Sequence, residues 1–275
     1  MAQMMRVMRY VSDLHLELRA NFEVNELKPL WTFEPNINTE YYLALVGDIG
    51  NPFQRNLRPF LEQVSSRYKQ VFYIPGNHEY YNVHVKTDRS KDDFEKELIK
   101  MCGELPNVSF LNNSTYQLPG IKIIGTTLWS HIPEAKSRYY THAINDYNLI
   151  KKNHEGKLVR ISTGDTNRWN AEAIAFLEKE IGEEPCIVLT HHAPLFNNPD
   201  LDQYLAHPQY TTGMNNYAFH NDLLHLIKSP IIAWLYGHTH HTSNFNVNGV
   251  YIGTNQLGYS HESCDFNPLA FINLD

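Results

Sequence analysis

Short apolar runs alternate with amphipathic stretches through much of the chain. Residues 7–11 read as a strand, and residues 41–46, apolar on both faces, as a strand buried on both sides. Leu57, Phe60, Leu61 and Val64 then recur at helical spacing. Residues 71–74 form the next strand. Ser90 with Asp93 is a capping-box signature, opening a helix whose buried face is Phe94, Leu98 and Met101. Two short strands are expected at 108–111 and 121–126, with turn residues near Pro119-Gly120. Residues 129–166 lose any clean period; 143–150 read as helical, and the stretch as an excursion forming the wall of a cleft. A helix over 168–181, a strand at 187–189, a polar loop over 196–216, a helix over 219–228 and a strand at 231–235 follow. Asn248-Gly249 between two apolar runs is a two-residue hairpin signal, and residues 270–274 close the chain as a strand. Neither a repeat nor a linker interrupts the pattern, so residues 1–275 read as a single domain. The expected class is α/β, with two mixed sheets packed face to face and flanked by helices.

Composition narrows the picture. Hydrophobic residues make up 42% and charged residues 19%, as in a soluble protein with a sizeable core. The net charge of −7 argues against nucleic acid as a partner, because a dedicated duplex binder needs a basic stripe. A small anionic substrate stays compatible, since metals can make one cleft locally positive. Cys102, Cys186 and Cys264 are sparse and form no CxxC pair, which suits reduced, buried thiols in a reducing compartment. Arg6 and Arg9 break the N-terminal apolar stretch, so a signal peptide is not expected, and no run approaches the length of a membrane span. A cytoplasmic location without membrane partners follows as the expectation. Oligomeric state leaves no mark.

The chemistry lies in five polar motifs at strand exits: Asp13-Leu14-His15, Gly47-Asp48, Gly76-Asn77-His78-Glu79, His191-His192 and Gly237-His238-Thr239-His240. Asp13 and His15, two apart on extended chain, would point to one side and could grip one ion. Asp48 follows a glycine that lets the backbone turn, and its two oxygens could bridge two cations about 3.5–4 Å apart. Asn77 offers a carbonyl oxygen; His191, His238 and His240 offer imidazole nitrogens. The spacing of His238 and His240 allows one ring per metal. Mixed nitrogen and oxygen donors without thiolate suit two divalent ions, with Mn the leading expectation and Fe, Zn, Co or Ni as alternatives.

In this order, DxH, GD, GNHE, a strand-terminal HH and GHTH resemble the calcineurin-like metallophosphoesterases, over essentially the whole chain. The resemblance implies a four-layer αββα sandwich. It implies one metal on Asp13, His15, Asp48 and His240, another on Asp48, Asn77, His191 and His238, and His78 as the catalytic histidine. It further implies hydrolysis of a phosphomonoester or phosphodiester, such as a nucleotide or cyclic nucleotide. A hydroxide bridging the metals would attack, with His78 as general acid or transition-state stabiliser. The family's Ser/Thr protein phosphatases extend the second motif to GDxxDRG; here it reads Gly47-Asp48-Ile49-Gly50-Asn51-Pro52, so a small phosphoester is expected instead of a phosphoprotein. His192, Asn51, Trp129, Asp146 and Arg168 are the candidate substrate contacts. Glu79 is read as a solvated or structural carboxylate. A nuclease or RNA-processing phosphodiesterase is the alternative, disfavoured by the acidic balance. A non-catalytic scaffold on the same fold would lack ligands or the histidine, and here every position is filled.

Overall fold

The computed structural model describes residues 4–83, 85–210 and 214–275. The chain opens with β1 (Met5–Val11), the one-turn helix α1 (Pro29–Thr32), β2 (Thr39–Val46), α2 (Leu57–Ser65), β3 (Gln70–Ile74), α3 (Lys91–Gly103) and β4 (Val108–Phe110). These four strands lie side by side and parallel. A second sheet starts with the hairpin β5 (Ser114–Leu118) and β6 (Ile121–Thr126). An excursion follows, with α4 (Ser137–Ala143), α5 (Asp146–Leu149) and the hairpin β7 (Lys151–His154) and β8 (Lys157–Arg160). Then come α6 (Thr163–Glu180), β9 (Cys186–Thr190), β10 (Ile231–Tyr236), β11 (Asn244–Val247) and β12 (Val250–Thr254). The last strand, β13 (Phe271–Asn273), returns to pair antiparallel with β1. The sheet orders are β13-β1-β2-β3-β4 and β11-β12-β10-β9-β6-β5.

Alternation along the strands divides the side chains between layers. Met8, Tyr10, Tyr42, Ala44, Phe72 and Ile74 point between the sheets and meet Ile123, Ile187, Leu189, Ala233 and Leu235. Their neighbours Val11, Leu43, Leu45, Val71 and Tyr73 face outward, under Phe60, Leu61 and Val64 of α2 and Leu98 and Met101 of α3. On the far side Ile124, Val188 and Trp234 pack with Ala173 and Leu177 of α6. This is the expected four-layer αββα sandwich. Burial on both faces is why the central strands are apolar almost without interruption. Each fully buried Leu, Ile or Phe contributes roughly 1.5–3 kcal/mol.

Some elements differ from the sequence reading. Residues 219–228 form turns instead of a helix. The Asn221 and Leu223 N–H groups reach across to the Ala193 and Pro194 carbonyls instead of closing helical bonds, while Leu223 and Ile227 remain buried. Residues 143–150 are not one helix, because extended Ile144 separates α4 from α5. The additional strand β5 folds onto β6 through Pro119-Gly120, with Gly120 at φ 75°. Helix α6 begins earlier than its apolar spacing suggested, on a capping box of Ser162 and Asp165. The excursion builds its own core around Tyr80, Phe94, Trp129, Tyr140, Tyr147 and Ile150. Part of the 196–216 loop, residues 211–213, lies outside the described residues. Among those described, no helix is long and apolar enough to cross a membrane. The three cysteines are free and buried.

Candidate metal centre

The central strands of each sheet run parallel, so their carboxyl ends share an edge, and the motifs after β1, β2, β3, β9 and β10 converge there. Backbone hydrogen bonds lay the loops together: Asp13 N–H to Gly47 O and His15 N–H to Asp48 O, both 3.0 Å, and Gly237 N–H to His191 O at 2.9 Å. The His238 N–H donates to the Asp13 carboxylate at 3.1 Å. Asp13 and His15 are not on extended chain as their spacing suggested. Asp13, His15, Asp48, His238 and His240 all have left-handed backbones, with φ between 46° and 73°. Such strain in non-glycine residues persists only where the surroundings enforce it, and it clusters at functional sites. The adjoining glycines have a steric cause. A Cβ on Gly76 would lie 2.1 Å from Asp48 Oδ1, one on Gly47 2.1 Å from His191 Nδ1, and one on Gly237 2.7 Å from Asp13 Oδ2. Each glycine leaves room for a side chain of another motif.

Two outer clusters result, Asp13 with His15 and His240, and Asp48 with His191 and His238, linked by a third of His15, Asp48 and His78; within each, one potential ligand atom per residue lies within 4.8 Å of the others. His238 and His240 thus fall in different clusters. Asp48 stands between them, with Oδ1 3.3 Å from His191 Nε2 and Oδ2 4.0 Å from His15 Nε2. Asn77 Oδ1 lies 3.1 Å from His191 Nε2. Its amide nitrogen donates to Asp146 Oδ1 at 2.8 Å and to the Tyr81 hydroxyl at 3.1 Å, which turns the oxygen inward.

The side chains fit divalent cations. Each cluster histidine has its other ring nitrogen tied: His15 Nδ1 to Glu17 at 3.1 Å, His191 Nδ1 to Val46 O at 3.0 Å, His238 Nε2 to Ala218 O at 3.3 Å, and His240 Nδ1 to Glu262 at 2.5 Å. Metal-binding imidazoles require such outer ties to fix tautomer and ring orientation. His15 Nε2 and His240 Nε2 face one another at 3.0 Å. Burial lowers the pKa of His191, but the Asp48 charge outweighs it and lifts the group to about 9. Burial likewise opposes His240, which hydrogen bonds to Asp13 and Glu262 lift to about 10. Against its own burial, Asp48 is held well below the usual carboxylate range by His191 and His78. His191 and His240 gather protons that offset buried carboxylate charge, a task divalent cations would take over, while burial and the neighbouring His192 and His191 rings push His238 well below its ordinary value.

The site opens into a cleft of about 550 Å³ that His78 lines. His78 Nδ1 lies 3.1 Å from Glu17 Oε1, the same oxygen that meets His15 Nδ1. His78 Nε2 lies 3.2 Å from the Tyr259 hydroxyl. Burial lowers His78, yet Asp48 and Glu17 raise it to about 9. Glu17, pushed up by burial, is brought down to about 2 by its bonds to the two rings. Glu79 is structural and wholly buried. It accepts from the N–H groups of Asp48, Ile49 and Gly76 at 3.0, 2.7 and 2.7 Å and from the Tyr73 hydroxyl at 2.9 Å.

Of the candidate substrate contacts, Asp146 lines the cleft, where it orients Asn77; the other four do not line it. His192 is buried behind, its ring 4.1 Å from that of His238 and its Nδ1 3.3 Å from Thr127 O. Asn51 braces the loop after β2, donating to Tyr81 O and accepting from the Phe53 N–H. The large apolar surface of Trp129 is taken up against Tyr80, Trp169 and His192. Arg168 lies on the solvent side of α6, 3.6 Å from Asp165. Sequence reasoning missed Glu17, Tyr259 and Glu262. Glu17 continues the two-residue step of Asp13 and His15, a usable signal. Tyr259 and Glu262 sit in a tail without periodicity, carried in by Leu257 and Gly258 N–H bonds to the carbonyls of Ser12 and Asp13.

An αββα sandwich with paired His/Asp clusters at its strand ends defines a class, the metallophosphoesterases. The chain belongs to the calcineurin-like phosphoesterase family, whose sequence profile matches residues 10–242. Members of that family generally use divalent metals. The chain is 52% identical over 274 residues to uncharacterized protein L509 of Acanthamoeba polyphaga mimivirus, with 98% of each chain covered. Its fold is similar to that of the phosphopantetheinyl hydrolase PptH from Mycobacterium tuberculosis, with a TM-score of 0.66, 17% identity, and 94% of this chain and 91% of that one covered. Tyr259 and Glu262 lie beyond the matched segment.

Proposed function

We propose that the protein hydrolyses a small phosphoester with two divalent metal ions. One would be held by Asp13, His15, Asp48 and His240, the other by Asp48, Asn77, His191 and His238. The carrying observation is convergence: two adjacent clusters meet at Asp48, and every histidine in them is tied from behind. Bound metals would acidify water and draw charge from phosphoryl oxygens. The chain's own residues supply orientation and protons. Glu17 engages His78 Nδ1, so Nε2 is the nitrogen offered to substrate, placed to give a proton to the leaving oxygen or to bond a phosphoryl oxygen. The Tyr259 hydroxyl stands beside that nitrogen on the cleft side. Asp146 and Tyr81 keep the Asn77 oxygen aimed inward.

The test is hydrolysis of p-nitrophenyl phosphate and its bis ester by chelator-treated protein before and after Mn addition, with metal content measured alongside. Activity should vanish with chelation and return with Mn, near two ions per chain. Asp48→Asn and His238→Ala should each lose more than the roughly 10–100-fold typical of residues outside the ligand set. Full activity in either variant would refute the assignment.

A further inference from the structure

Among the described residues, the cleft lacks cationic side chains around the metal centre. None of its described lining residues is lysine or arginine, while Asp48, Asp146 and Glu262 are among them. The bias is written into the sequence: from residue 180 to residue 275 the one Lys or Arg is Lys228, which is exposed and away from the cleft. Residues 211–215, Thr-Thr-Gly-Met-Asn, add no cation. A phosphomonoester carries close to two negative charges at neutral pH, a polyphosphate or nucleic acid more, and proteins meet such groups with arginine forks or lysines. This cleft offers neither. Beyond the clusters its lining includes Ile144 and Asn145 of the excursion together with Gln209, Tyr210 and Phe219. Those side chains present amides, ring faces and methyl groups, the partners of an uncharged and partly apolar group.

Resting on the phosphoesterase reading above, we propose that the substrate is a phosphodiester monoanion with an uncharged organic arm. That arm lies against Ile144, Asn145, Gln209, Tyr210 and Phe219. The single phosphoryl charge is met by the metals and by His78 alone. Water adds at phosphorus, one P–O ester bond breaks, and the leaving oxygen takes the proton.

A matched pair tests this on the Mn-loaded protein: phenyl p-nitrophenyl phosphate against p-nitrophenyl phosphate, with the same leaving group. The diester should be preferred in kcat/KM by about tenfold or more, and diphenyl phosphate should bind more tightly than phenyl phosphate by calorimetry, which needs no turnover. Asn145→Arg, at an exposed position of the wall, should shift the ratio toward the monoester. Equal or better use of the monoester, or a ratio that Asn145→Arg does not move, overturns the proposal while leaving the phosphoesterase reading intact. Salt-dependent competition by a single-stranded oligonucleotide overturns it as well. No turnover of either ester overturns both.

Discussion

Replacing Glu79 by Gln tests whether this buried carboxylate is the keystone of the metal loops. Its Oε2 accepts from the N–H groups of Gly76 at 2.7 Å and Asp48 at 3.0 Å. Its Oε1 accepts from the Ile49 N–H at 2.7 Å and the Tyr73 hydroxyl at 2.9 Å. Four backbone N–H groups face it, the fourth being Gly50 at 3.4 Å, and these can only donate, whereas the Tyr73 hydroxyl can donate or accept. Burial and the nearby Asp48 charge push the carboxyl up to about 7, against the pull of His191 and the Ile49 N–H. In Glu79→Gln the new NH2 must face two backbone N–H groups whichever way the amide is turned, those of Gly76 and Asp48 or those of Ile49 and Gly50. Each buried group left without a partner costs about 1–3 kcal/mol, so the two stranded donors together cost about 2–6 kcal/mol. That is a large part of the 5–15 kcal/mol typical of a folded domain. Urea denaturation of chelator-treated protein is the assay, because it removes any contribution of metal to stability. Metal titration of the folded variant should then show weaker binding, since the Asp48 and Gly76 backbones lose their anchor. A Glu79→Gln protein within about 0.5 kcal/mol of the parent would refute the reasoning.

Glu17 ties His15 and His78 through one oxygen, so Glu17→Ala should cost about 10–100-fold in activity and in metal affinity, while Glu17→Gln, which keeps an acceptor oxygen, should retain more of both. Equal losses in the two variants would show that the hydrogen bonds to the rings are not what Glu17 contributes. His220 provides a pH test. Burial depresses it from 6.5 to about 4, so the unfolded chain takes its proton first, and stability falls as pH drops below 6.5 and levels off near 4. The loss should reach about 2 kcal/mol by about pH 5, and urea midpoints should show His220→Phe with a shallower pH dependence than the parent. Identical pH profiles would refute it.

Much of the fold was legible because two-sided burial writes itself into the strands. Residues 41–46 and 71–74 are apolar throughout, and the two layers that cover them require this. Asn248-Gly249 is legible because both residues must take positive φ, 52° and 83°, which few residue pairs tolerate. Residues 219–228 misled for a matching reason. Leu223 and Ile227 are spaced for a helix and are indeed buried, yet the Asn221 and Leu223 N–H groups bond sideways to the β9 exit while that of Ile227 closes only a local turn on Leu224 O, which no local pattern reveals. The site divides the same way. The clustered Asp, Asn and His residues announce themselves because each follows a strand. Trp129 and Arg168 did not reach the cleft because residue type alone does not say which face a side chain takes. Tyr259 and Glu262 come to the site through tertiary hydrogen bonds of a tail with no period, so they left no signature.

The supporting carboxylates explain why the site has this form. Glu17, Asp146 and Glu262 each bond a group in the clusters or beside them, namely the His15 and His78 rings, the Asn77 amide and the His240 ring. Each carries negative charge into a region already holding Asp13 and Asp48. Without cations this arrangement works against folding, since buried charge is offset only by protons that the rings draw in. The left-handed backbones at five of the proposed ligand positions add strain of their own. Divalent ions bound there would relieve the charge, and their ligation would over-determine the strained loops, coupling metal binding to loop order. The same acids keep the surrounding cleft short of positive charge once the metals are neutralised. On the proposed function, one arrangement of residues would therefore hold the ions, order the loops and leave a site in which the metals and His78 are the main attraction for phosphate.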